Sequence, residues 1–152
     1  MAPPNSSNSP TAARILLVDD NSMGLSARKS VLEELGYCIT TCSSGDDALA
    51  QLGSNRFELV VTDYKMPRMN GTELIRRIRN QELSVPVILL SGFADTLGLS
   101  EDNTGADVVI QKSANEVGHL IRSVNRLLRN ASRKPPGWQG PPSRGRVPKT
   151  RS

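Results

Sequence analysis

Five short apolar runs alternate with segments of helical pattern, and this alternation limits the chain to very few folds. The strands predicted from these runs are Arg14–Val18, Tyr37–Thr41, Phe57–Thr62, Val85–Leu90 and Asp107–Ile110. The first run, RILLV, is continuously apolar, which is typical of a strand covered on both faces. Strands that alternate with helices predict a doubly wound α/β domain with right-handed crossovers and a parallel sheet.

The segments between the strands carry signals for the ends of helices. Asn21 or Ser22 can cap a helix through about Leu35, and Gly36 stands where a left-handed C-cap is needed. Further helices are predicted at Ser44–Leu52, stopped by Gly53, and at Thr72–Asn80. Residues 94–105 should hold a fourth helix, but Gly98 and a polar run oppose it, so we expect a short or frayed helix there.

The last predicted helix runs from Asn115 to Asn130 and has a regular apolar stripe. We expect this stripe to be buried, and its members are Val117, Leu120, Ile121, Val124, Leu127 and Leu128. On the same helix, Arg122, Arg126 and Arg129 recur at helical spacing and favour a solvated basic face.

Charge divides the chain into a mildly acidic part and a basic tail. Residues 1–130 hold 13 basic and 15 acidic side chains, whereas residues 131–152 hold six basic side chains and no acidic one. We expect segments 1–12 and 131–152 to be disordered, since neither can bury enough apolar surface, and residues 13–130 to form one domain.

The sequence also indicates the cellular compartment of the protein. It has no apolar stretch long enough to span a bilayer, and its first residues lack the charged and apolar regions of a secretory signal. Cys38 and Cys42 have no further cysteine or histidine cluster beside them. We therefore expect two reduced thiols in a cytoplasmic protein.

Polar side chains follow four of the predicted strands. Asp19 and Asp20 follow the first strand, Asp63 the third, Ser91 the fourth and Lys112 the fifth. In a parallel sheet of order 2-1-3-4-5, strands 1, 3, 4 and 5 are neighbours and their carboxyl ends share one crevice. Three carboxylates and an ammonium there predict a site for a hard divalent cation and a phosphoryl group.

At these residues the chain resembles the receiver domain of two-component response regulators. The matching pieces are VDD (18–20), DYKMPRMNG (63–71), LLSG (89–92) and QK (111–112), and the likeness covers about residues 12–130. The resemblance implies a flavodoxin-like fold with helices on both faces of the sheet. It also implies a sensor histidine kinase or a histidine phosphotransfer protein as the phosphoryl donor.

The resemblance assigns a role to each polar residue. Asp63 aligns with the phosphorylated aspartate, and Asp19 and Asp20 align with the pair that binds Mg²⁺. Asp63 and the main-chain carbonyl of Lys65 would complete the metal ligands. Lys112 and the Ser91 hydroxyl would contact the phosphoryl oxygens. Catalysis is then confined to self-phosphorylation and slow self-dephosphorylation.

Three positions depart from the family. Val109 stands where members commonly carry a switch aromatic, Ser113 replaces the proline after the lysine, and the fourth helix is weak. All three changes fall on the face through which the family usually signals. We therefore expect the chain to accept phosphate but to read it out differently, for example by local ordering of residues 93–105.

The residues after Asn130, the basic tail and position 65 each bear on the predicted function. Only 22 residues follow Asn130, which favours a stand-alone receiver or an excised one with a linker stub. The alternative is a phosphorylation-independent interaction module whose basic tail, with Trp138, binds an acidic partner, nucleic acid or an anionic membrane surface. A haloacid-dehalogenase-like phosphatase needs a second Asp two residues after the first, where this chain has Lys65.

Overall fold

The computed structural model describes residues 12–81, 83–92 and 97–132. They form a parallel five-stranded sheet in the order β2-β1-β3-β4-β5, which confirms the predicted topology. The strands are β1 (Arg14–Val18), β2 (Cys38–Cys42), β3 (Leu59–Asp63), β4 (Val87–Ser91) and β5 (Val108–Gln111). Each strand overlaps its predicted range, and β2 to β5 begin one or two residues later than expected.

Five helices connect or follow the strands within the described residues. They are α1 (Ser22–Glu34), α2 (Gly45–Ser54), α3 (Gly71–Asn80), α4 (Glu101–Thr104) and α5 (Glu116–Ser132). Side-chain caps fix three of the helix starts: Asn21, Ser44 and Asn70 each accept a hydrogen bond from the backbone N–H three residues on. Gly36 has φ +99°, which confirms the predicted left-handed turn after α1.

The sheet separates two apolar layers, because alternate residues of a strand point to opposite faces. On β1, Leu16 and Val18 pack toward α2 and α3, while Ile15 and Leu17 pack toward α1 and α5. Every residue of β3 and β4 is buried, as both strands are covered on both sides. The polar ends of these central strands are therefore held by a rigid, well-packed frame.

Some local predictions are wrong. Gly53 does not stop α2, which ends at Ser54, and the Gly53 position has open space around it. Val117 is 45% exposed, whereas Leu120, Val124 and Leu128 of the same predicted stripe are buried. The last helix continues to Ser132, so the predicted tail 131–152 begins with two helical residues. The rest of that tail and residues 1–11 of the predicted segment 1–12 lie outside the described residues.

The weak fourth helix is short, as expected, in the part that the structure describes. Helix α4 is four residues long and begins with a capping box between Ser100 and Asn103. Gly105 ends it in the left-handed conformation, with φ +81°. Residues 93–96 lie outside the described residues. Among the described residues, no helix combines the length and the apolar composition of a membrane span.

Candidate functional site

The carboxyl ends of the strands bring the predicted site residues to one cavity. Strand β3 ends at Asp63 and β4 ends at Ser91, and the backbone N–H of Lys112 donates to the Ser91 carbonyl at 2.8 Å. The cavity is lined by Asp19, Asp20, Asn21, Asp63, Lys65, Ser91, Gly92 and Lys112. All six predicted site residues are among them.

Three carboxylates converge in this cavity. One oxygen from each of Asp19, Asp20 and Asp63 lies within 4.8 Å of the others. Asp19 and Asp63 are buried, at 2% and 6% exposure, while Asp20 faces solvent. Oxygen ligands at this spacing, open to water on one side, suit a small hard cation that keeps part of its hydration shell.

Asp63 lies in an environment that disfavours its charge. Among the described residues, its buried Oδ1 has no regular hydrogen bond, and its contact there is an ion pair with the Lys112 ammonium. Burial raises the pKa of Asp63, Lys112 lowers it in part, and the nearby Asp19 charge raises it further; the net direction is upward. A buried carboxylate oxygen without a regular hydrogen bond fits a position that a cation would satisfy.

The loop after Asp63 is held by close backbone contacts. The N–H of Gly71 donates to the Tyr64 carbonyl at 2.7 Å, and the Tyr64 N–H donates to the Leu90 carbonyl at 2.7 Å. A Cβ at Gly71 would lie 2.6 Å from the Asp63 carbonyl oxygen and 2.7 Å from Leu89 Cδ1. Glycine is therefore required at position 71 for α3 to start this close to β3 and β4.

Arg28 contacts the site through Asp19 and is not among the residues predicted from the sequence. Its Nη1 donates to Asp19 Oδ2 at 2.8 Å, and its Nε donates to Glu116 Oε2 at 2.9 Å. Burial opposes its charge, but the hydrogen bonds and charges of the two carboxylates outweigh burial and raise the pKa of Arg28. The available signal was Gly24, a glycine inside a helix one turn before an arginine.

The remaining sequence expectations fall outside this cavity. His119 and the three arginines of the predicted basic stripe are exposed on α5. Cys38 and Cys42 are both free thiols, as predicted, and burial raises the pKa of Cys42 to about 11. All peptide bonds among the described residues are trans, including the bond between Lys112 and Ser113.

Val109, which stands where family members commonly carry the switch aromatic, has a contact with α4. Val109 is half-buried on β5, the last strand of the sheet, and its backbone N–H donates to Glu101 Oε2 at 3.1 Å. This contact joins α4 to the outer edge of β5, on the side where an edge strand otherwise exposes its N–H groups.

A model of the response regulator receiver domain matches residues 15–125. The chain belongs to this family. Receiver domains bind Mg²⁺ at an acidic pocket and interact with histidine kinases or phosphotransfer proteins in two-component signalling. In this chain, Asp19, Asp20 and Asp63 form a cluster of carboxylates that fits such a pocket.

Curated relatives are longer than the matched region. The alkaline phosphatase synthesis transcriptional regulatory protein PhoP of Bacillus subtilis is 31% identical over 119 residues, covering 74% of this chain and 48% of PhoP. The gliding motility regulatory protein of Myxococcus xanthus is 29% identical over 117 residues, covering 75% of this chain and 15% of that protein. The chain thus spans less than half of each.

Solved receiver structures match the fold closely. The receiver domain of the Francisella response regulator 1452 has a TM-score of 0.72 and 30% identity, covering 78% of this chain and 98% of that one. The response regulator TrrA of Thermotoga maritima, in complex with Mg²⁺ and BeF, has a TM-score of 0.68 and 32% identity, covering 76% and 98%.

Proposed function

We propose that this receiver domain accepts a phosphoryl group on Asp63 from a phosphohistidine of a sensor histidine kinase or a phosphotransfer protein. An Asp63 oxygen forms a bond to phosphorus as the phosphorus–nitrogen bond of the donor breaks, and the released imidazole takes up a proton from water. The product is an acyl phosphate. The observation that carries the proposal is a buried carboxylate at a strand end, between an ammonium and two further carboxylates.

The neighbouring residues have separate tasks in this step. Lys112, already in contact with Asp63, pairs with a phosphoryl oxygen as a point charge once the carboxylate has been phosphorylated. The Ser91 hydroxyl, on the adjacent strand, donates to another phosphoryl oxygen. Apart from its chain neighbours, no described residue lies within 4 Å of a Cβ built at Gly92, which leaves room for the donor or for an attacking water during slow hydrolysis.

The acidic residues fit a bound magnesium ion. Asp19, Asp20, Asp63 and the main-chain carbonyl of Lys65 would hold Mg²⁺, which supplies positive charge against the phosphoryl oxygens and the clustered carboxylates. Uptake of the phosphoryl group needs only residues of this domain, so we propose that no output domain takes part in it.

Readout follows a different route from an aromatic switch. Val109 has no ring to rotate, and Glu101 ties α4 to β5 through the Val109 N–H. We propose that phosphorylation changes the order of the segment before β5. Beryllofluoride with Mg²⁺ should then slow amide exchange over residues 97–113, and unchanged exchange there contradicts this route.

Phosphoryl uptake is tested directly by intact-mass spectrometry after incubation with acetyl phosphate and Mg²⁺. The wild-type chain should gain one acid-labile phosphoryl group, and Asp63→Asn should gain none. Asp46→Asn, an exposed carboxylate at the start of α2, is the matched control and should be labelled like the wild type. Equal labelling of Asp63→Asn and the wild type would refute the assignment.

The tail offers a separate function that the same samples can test. A chain shortened to residues 1–132 should keep phosphoryl uptake. If the basic tail binds nucleic acid, the shortened chain should lose a salt-sensitive interaction that the full chain has.

A further inference from the structure

Arg28 is a buried cation beside the metal pocket, and phosphoryl transfer as described above makes no use of it. Its side chain is 11% exposed and lies between Asp19, 3% exposed, and Glu116, 15% exposed. One guanidinium joins a carboxylate of the pocket to the first residue of α5, 88 positions further along the chain than Arg28. The planar, forked donor group of arginine suits this two-sided contact.

The helix is shaped to let Arg28 reach the pocket. Gly24 lies one turn earlier on the same face of α1, and a Cβ there would be 3.2 Å from Arg28 Nη1 and 3.3 Å from Asp19 Oδ2. Glycine inside a helix is less favourable than alanine. The space that its missing side chain leaves is the space through which the guanidinium meets Asp19.

Asp19 already has a partner on each of its oxygens. Its Oδ1 accepts from the Asn21 N–H at 3.0 Å, and its Oδ2 accepts from Arg28. Asp19 is one of the three carboxylates that would surround Mg²⁺. A positive charge fixed on one of these ligands repels an incoming cation and occupies lone pairs that the cation would use.

We infer that Arg28 is a resident counter-cation that lowers the affinity of the pocket for Mg²⁺ and links metal binding to the start of α5 through Glu116. The inference rests on the proposed metal site and adds a positioning residue to it. Without metal, Arg28 neutralises part of the repulsion among the carboxylates. When Mg²⁺ binds, the Arg28–Asp19 pair weakens, and so does the restraint on Glu116.

The coupling must be reciprocal. If Arg28 weakens Mg²⁺ binding by some factor, Mg²⁺ weakens the contacts of Arg28 by the same factor. Couplings between linked sites commonly amount to about 5–150-fold in affinity. Removal of the Arg28 charge should therefore tighten Mg²⁺ binding at least about fivefold.

The test measures the Kd of Mg²⁺ from amide chemical shifts of pocket residues in the full-length protein. The variants are Arg28→Gln, which removes the charge with little change in length, and Lys29→Gln. Lys29 pairs only with exposed Glu33 among the described residues, so it is a control for the loss of one positive charge on α1. Arg28→Gln should bind Mg²⁺ at least about fivefold more tightly, and Lys29→Gln should match the wild type.

The wild-type protein supplies a second measurement that needs no variant. The Arg28 Nε–H resonance should shift as Mg²⁺ is added, with the same saturation curve as the pocket amides, because this group donates to Glu116. The Glu116 amide should shift with it, and in Arg28→Gln the Glu116 shift should be much reduced.

The outcomes separate this inference from the proposed function. Equal Kd values in Arg28→Gln and the wild type, or an Arg28 Nε–H that stays unchanged while Mg²⁺ saturates the pocket, overturn the role of Arg28 and leave the metal site standing. No Mg²⁺-dependent shift in either protein overturns both. If Mg²⁺ shifts the pocket amides of Arg28→Gln but not those of the wild type, the inference is supported in its strongest form.

Discussion

The charge of Asp63 should cost folding stability when no metal is present. Burial and Asp19 together raise the pKa of this carboxyl above its ordinary value of 3.8, despite Lys112. The folded state therefore binds the Asp63 proton more tightly than the unfolded chain does. The stability from the protonated form is present below pH 3.8 and is lost as pH rises through the folded pKa. Asp63→Asn has no carboxyl group to ionise at this position, so it should not lose stability in this way.

The size of the effect follows from the geometry of the pocket. At an effective dielectric constant of about 20, unit charges no more than 4.8 Å apart repel by at least about 3 kcal/mol, and the buried carboxylate of Asp19 is such a neighbour of Asp63. The Lys112 ammonium, 31% exposed, offsets most of this repulsion. With the cost of burial, we expect Asp63→Asn to be more stable by about 1–2 kcal/mol, or about 4–8 °C in Tm.

Thermal unfolding in EDTA at neutral pH, followed by circular dichroism, measures this difference. Magnesium should narrow or reverse this difference in stability. At 100 times its Kd, Mg²⁺ stabilises the wild type by about 2.7 kcal/mol, and Asp63→Asn should bind Mg²⁺ less tightly. Asp46→Asn, outside the pocket, should stay within about 0.5 kcal/mol of the wild type. If Asp63→Asn melts at or below the wild-type temperature in EDTA, the repulsion argument is wrong.

Two further predictions concern packing and thiol chemistry. Gly71→Ala should destabilise the fold by about 1–3 kcal/mol, because its Cβ would lie 2.6 Å from the Asp63 carbonyl oxygen. Gly53→Ala should stabilise α2 by about 0.5–1 kcal/mol, because no described residue beyond its chain neighbours and the backbone of its own helix lies within 4 Å of its Cβ. Urea unfolding of both variants measures the two opposite changes in the free energy of unfolding. Iodoacetamide at pH 8 should modify exposed Cys38 and spare buried Cys42, whose pKa is raised to about 11, until urea unfolds the chain. Peptide mass spectrometry measures the two rates of modification, and equal rates in the folded protein contradict this prediction.

Much of the fold was predictable because its signals are local. An apolar strand, a capping Asn or Ser and a glycine after a helix each act within a few residues, and parallel strands between helices leave few topologies. The gathering of Asp19, Asp63, Ser91 and Lys112 followed from the same rule, since each directly follows or ends a strand of the sheet. The predicted end of α2 was wrong: Gly53 lies inside the helix, because an exposed glycine weakens a helix without ending it.

The order of residues along the chain specifies the chemistry that the protein carries. It sets the strand order that forms the crevice and the acidic, hydroxyl and amino groups at the ends of those strands. Tertiary structure alone decided how those groups are charged and restrained. The depth of Asp63, the approach of Arg28 over Gly24, and its bridge to Glu116 arise between elements far apart in the chain. Electrostatic energies depend on distance and on exclusion of water, and both are set only when the elements pack together.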